Sequence, residues 1–143
     1  MSESSSWSET RREIARLQAE RLAERKAAES LQARAFLEKF VTAALTMGPA
    51  PVPLRVHGRT GNSAATTLSG WYLKVDESVA VDTSGNYYLL QMDLSFLDRF
   101  RRLTPTPTAP PLVLGAGGRD GETMDLTARL TQLQPKWREV EAD

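Results

Sequence analysis

The chain has no cysteine and only one histidine, His57. The first absence removes disulfides, zinc–thiolate sites, iron–sulfur clusters and cysteine nucleophiles together. Burial alone must then hold the core. The second leaves a single imidazole, and the carboxylates are scattered rather than clustered at ligand spacing, so no metal or cofactor is expected. An excess of one charge is also missing, with 18 basic residues against 18 acidic ones. No net field draws the chain to nucleic acid or to an anionic membrane, so any such contact needs a local patch. No window reaches the roughly 18 to 20 apolar residues of a membrane span. The Ser-rich stretch 1–8 lacks the apolar run of a secretory signal. These absences predict a soluble, cytoplasmic protein with no membrane partner. Arginine outnumbers lysine 14 to 4, which suggests a GC-rich, bacterial genome.

What remains is enough for one domain. At 143 residues, 41% hydrophobic and 25% charged, the chain is globular rather than disordered. Residues 1–8 read as a disordered polar tail containing one large side chain, Trp7, which is either loose or an anchor for a partner. Residues 9–47 read as one long amphipathic helix. Thr10 and Glu13 have capping-box spacing, the filling is rich in strong helix formers, and Gly48-Pro49 supplies the stop.

The apolar stripe of this helix changes along its length. It is thin in the first half, with Ile14, Leu17, Leu22 or Ala23, Ala27 and Leu31. It broadens through Ala35, Phe36, Leu37, Phe40, Val41, Ala44 and Leu45. A broad stripe packs on a core, whereas a thin one resembles a coiled-coil seam. The first half is therefore expected to project, or to pair with another chain.

Residues 48–134 read as a small α+β domain. Strands are predicted at 53–57, 66–75, 78–81 and 86–92, with Asp82–Gly85 as the turn of a hairpin. A short helix is expected at 94–102, with Phe96, Leu97, Phe100 and Leu103 as its buried stripe. TPTPTAPP at 104–111 is a polyproline-leaning spacer, and 112–114 is a short strand. A final helix runs over 126–134, capped by Asp125 and ended by Pro135. Residues 135–143 form a charged tail. The fold class is α+β: a long amino-terminal helix packed on a small, mainly antiparallel sheet of four to five strands, with two short helices.

The stretch PPLVLGAGGRDGETMDL, 110–126, has the outline of a phosphate loop. A P-loop requires a lysine after its last glycine, and Glu122 stands there instead. The dinucleotide pattern begun at Gly115 meets Asp120 where its third glycine belongs. The loop is read as a turn whose glycines permit positive φ, with Arg119 as the residue to hold an anion if one binds. His57 sits at a strand end near Arg59, with Ser63, Asp76 or Asp82 as conceivable partners, but no recognisable catalytic companion accompanies it. Trp71, Tyr72, Tyr87 and Tyr88 are expected to pack within the sheet. Arg99, Arg101 and Arg102 form the densest basic cluster and a possible anion site. In the long helix, eight basic residues face seven acidic ones over 1–47, which suits a solvated face.

The expected function is a non-enzymatic protein–protein interaction or assembly module with no catalytic residue. Trp7, Ile14, Leu17 and Leu31 are its partner-binding residues, contacting a foreign protein or a second copy through the helix. The alternatives are a nucleic-acid-associated regulator using the arginine clusters, and a small-ligand or phosphate binder at the glycine loop.

Overall fold

The computed structural model describes residues 3–115 and 123–140. Helix α1 spans Glu3–Met47. Strands β1 (Val52–His57), β2 (Ser63–Tyr72), β3 (Val79–Asp82) and β4 (Tyr87–Leu89) form one antiparallel sheet in the order β1-β2-β3-β4. A 3-10 helix follows at Phe96–Phe100, then a small hairpin of β5 (Val113–Leu114) and β6 (Met124–Asp125). Helix α2 (Leu126–Leu133) and a 3-10 turn (Trp137–Glu139) close the described chain. The fold is α+β.

Helix α1 begins six residues before the expected start at residue 9. Residues assigned to a disordered tail are helical from Glu3, and Trp7 lies on the helix. Thr10 is therefore not a cap: its hydroxyl donates to the Ser6 carbonyl one turn back, at 2.9 Å. The carboxyl end matches expectation. Gly48 adopts φ 95 and its N–H donates to the Ala44 carbonyl at 2.8 Å, so a left-handed glycine ends the helix. The connector beyond it is tied to the body. Trp71 Nε1 donates to the Pro49 carbonyl at 2.8 Å, and Gln134 Nε2 donates to the Gly48 carbonyl at 2.6 Å.

The sheet carries a core on each face. Alternation sends Trp71, Val79, Val81 and Tyr87 to one side, where they meet Leu37, Phe40, Leu126, Leu130 and Trp137. The other side gathers Leu54, Val56, Ala80, Tyr88 and Leu90. This second core exists because the sheet curls until its ends meet. His57 N–H donates to the Leu90 carbonyl at 2.7 Å, and Met92 N–H donates to the His57 carbonyl at 3.1 Å. The chain after β4 thus runs parallel beside the end of β1. At Gly70 the curl brings β3 so close that a Cβ would lie 2.0 Å from the Val81 carbonyl oxygen, so only glycine fits.

Three local expectations change. Strand β2 ends at Tyr72 rather than 75, because the chain turns at once: Glu77 N–H donates to the Lys74 carbonyl at 3.0 Å, and Glu77 adopts φ 62. That turn buries Lys74 and exposes Val75. The expected helix at 94–102 is only the five-residue 3-10 helix. Phe96, Leu97 and Phe100 are exposed on it rather than buried. The residues that flank it plug the inner core instead: Leu94 and Leu103, the latter bridged to Thr66 of β2. Finally, residues 135–140 are not a charged tail. Trp137 is among the largest fully buried side chains, packed edge to face on Phe36 with its Nε1 donating to Thr131 Oγ1 at 3.0 Å.

Candidate interaction surface

Helix α1 divides into a packed half and a bare half. The first buried side chain along it is Ala33. Just before it, the Glu29 carboxylate accepts the Leu112 N–H at 2.9 Å and marks where the body begins. Residues 5–28 are exposed throughout apart from a half-buried Ser8. At about 1.5 Å per residue those 24 residues extend roughly 36 Å.

Large apolar side chains stand exposed on this rod and just beyond its end. Trp7 is 65% exposed, Ile14 50%, Leu17 38% and Leu31 69%. Leu31 is informative because Ala33, two residues on, is fully buried. The body therefore covers one side of the helix at that level, and Leu31 is on the other. Leu31 lies two heptads from Leu17, so the apolar line faces away from the domain core rather than continuing it. Leu22 is also exposed but lies off that line. Arg16 bonds Glu20 at 2.6 Å and also pairs with Glu13, which satisfies the helix surface locally. The structure thus brings Ile14, Leu17, Leu31 and Trp7 onto one exposed face.

The arginine cluster is brought onto one segment but is largely engaged with its neighbours. The Arg99 guanidinium lies 4.9 Å from the Phe96 ring centre and 5.4 Å from that of Phe100. Arg101 Nη2 bonds Asp98 at 2.7 Å. That bond, followed by the Ser95 N–H, holds the Asp98 carboxyl below the usual carboxylate range. Arg102 is exposed beside them. Arg119 and residues 116–122 of the glycine loop lie outside the described residues. At the loop's entrance, the buried Lys74 donates from Nζ to the Gly115 carbonyl at 3.0 Å. These two residues edge a cleft of about 470 Å³ lined also by Tyr87, Gln91 and Val113.

His57 meets a partner that the sequence did not indicate. Its Nε2 lies 3.1 Å from a Glu77 carboxylate oxygen, near enough for an ion pair when the ring is protonated but not aligned as a hydrogen bond. The residues considered as partners are otherwise occupied. Asp76 accepts from the Ser78 N–H and hydroxyl, Asp82 accepts from Tyr88 and the Ser84 and Asn86 N–H groups, and Ser63 accepts from Arg55. Glu77 stands at the left-handed position of its turn, with φ 62. Arg59 pairs with Asp93 at 3.3 Å. Trp71, Tyr87 and Tyr88 are buried and Tyr72 half-buried, so the aromatic set packs into the two cores.

Among the described residues no cluster of three His, Asp or Glu side chains could hold a metal ion, and no helix is long and apolar enough to cross a membrane. Comparison with known proteins finds no matching family model, no matching curated protein and no matching solved structure.

Proposed function

We propose that the protein is a non-enzymatic interaction and assembly module, and that the projecting half of α1 is its docking element. The observation that carries this reading is the line of Trp7, Ile14, Leu17 and Leu31, exposed on a helix that the domain holds only from residue 29 onward. Isolated helices are marginal in water, and in proteins most helical stability comes from burying an apolar face. A thin apolar line on a long helix is a surface for another helix, met through alternating spacings of three and four residues.

The alternatives have less behind them. A nucleic-acid grip needs uncompensated basic side chains, and Arg101 is paired while Arg99 sits on its own aromatic neighbours. A ligand site at the glycine loop would draw on Lys74, which already serves the Gly115 carbonyl.

The test is a photo-cross-linking residue placed at Leu17 or Ile14 in cells of origin. The reading predicts a discrete adduct from both positions and none from Arg12, on the polar side. No adduct from either apolar position would contradict it.

A further inference from the structure

Resting on the reading of α1 as a docking element, the charges within its apolar line identify what docks. With Ile14 and Leu17 set as the first and fourth positions of a heptad, Trp7, Ala28 and Leu31 fall on the same seam. Arg21 and Glu24 occupy the seam between Leu17 and Ala28, and a third charge, Glu38, lies on it beyond Ala35. Every seam position from 7 to 45 is exposed, because the domain covers the opposite side through Ala33, Leu37 and Phe40. The whole line is therefore open to a second helix.

We infer that the occupant is a second copy of this chain, bound antiparallel, with the two-fold axis crossing the seam between Leu22 and Ala23. A parallel pair would set Arg21 against Arg21 and Glu24 against Glu24 in the seam, two like-charge contacts. The antiparallel pair sets Arg21 against the partner's Glu24, and symmetry repeats the contact. The same register places Ile14 against the partner's Leu31 and Leu17 against the partner's Ala28, so apolar meets apolar. Beside the seam it brings Glu13 to the partner's Arg34, again opposite in sign, while Arg25 meets the partner's Gln18 without conflict.

The body leaves room for this arrangement. The amino-terminal turns of one copy would run along Ala35, Glu38 and Thr42 of the other, and all three are exposed. The match is carried by the central layers, from Ile14 to Leu31; farther out Thr10 meets the partner's Ala35 and Trp7 lies over the aliphatic stem of the partner's Glu38. Charged pairs inside a seam fix alignment at a cost in affinity, so the dimer dissociates on dilution.

Light scattering over a concentration series tests this with the full chain. The original protein is predicted to reach twice the chain mass. Arg21→Glu alone and Glu24→Arg alone each create like-charge contacts at both symmetric positions, so each raises the dissociation constant at least about tenfold. The double variant R21E/E24R restores the dimer. All of these side chains are exposed, so the circular dichroism of the variants should match the original.

Because the chain has no cysteine, disulfide capture provides orientation. Ile14→Cys mixed with Leu31→Cys should cross-link, and Ile14→Cys alone should not. A chain that is monomeric at every concentration, single variants that leave the mass unchanged, or self-cross-linking of Ile14→Cys each overturn the second-copy assignment. A monomer that still gives photo-adducts with a different protein removes the second copy and leaves the docking face. A monomer with no adduct removes both.

Discussion

Trp137 shows how one side chain can bind the ends of a chain together. It lies fully buried between Phe36 of α1 and Thr131 of α2, with its indole nitrogen satisfied. Trp137→Ala is predicted to cost about 3–5 kcal/mol, the range for emptying a buried aromatic site, measured by denaturant unfolding. A cost under about 1 kcal/mol would place Trp137 outside the core. The tyrosines report the two cores separately. Burial pushes the Tyr87 phenol up to about 12 on the helix side. On the inner side Tyr88 is also pushed up to about 12, first by burial and then by its bond to the Asp82 carboxylate. Each folded value lies above the ordinary 10, so the fold favours the neutral phenol. Its contribution to stability is complete below pH 10 and is lost as pH rises through about 12. An ultraviolet titration of the phenols should therefore lag that of the unfolded chain, and ordinary titration near 10 would contradict both cores. At this scale the sequence is a partial guide. Neighbouring charges made Trp137 read as tail, and alternation alone could not show that Tyr87 and Tyr88 both end buried, because that needs a core on each face of the sheet. The contact between His57 and Glu77 involves a residue in a left-handed conformation that no glycine announces.

Among the elements, α1 was the most legible, because its composition, its stripe and its glycine stop all point the same way. The change from thin to broad stripe matches the point where burial begins, and Ile14, Leu17 and Leu31 are all exposed. Its start was less legible. Ser4–Ser6 looks like tail by composition, yet the helix runs back to Glu3. The short 94–102 segment failed for another reason. Phe96, Leu97 and Phe100 have helical spacing, but the chain must return to bond Leu103 to β2, and the backbone bonds of that return leave the three side chains outside. The division of α1 makes a prediction at this scale. Removing residues 1–28 deletes no buried side chain among the described residues and spares the Glu29 bond. The truncated chain should unfold within a few degrees of the full one, by the scaling of thermal midpoint with small changes in free energy. A fall of tens of degrees would mean that the bare half supports the domain.

For the molecule as a whole, the sheet's order follows from its connections. Each strand pairs with the next in sequence, the arrangement that short links favour. What pattern could not reveal is closure, since the parallel contact of His57 with Gln91 joins segments far apart in the chain and depends on accumulated twist. Closure makes a body whose contacts with α1 begin at Glu29 and Ala33. The first half is then left as a rod with an apolar line and a charge pattern that complements itself in reverse. The most direct test is the molar mass in solution of the full chain beside that of the chain lacking residues 1–28. The account predicts twice the 15.8 kDa chain mass for the first and a folded monomer for the second. A dimer that survives truncation, or a full chain that never exceeds its monomer mass, would contradict it.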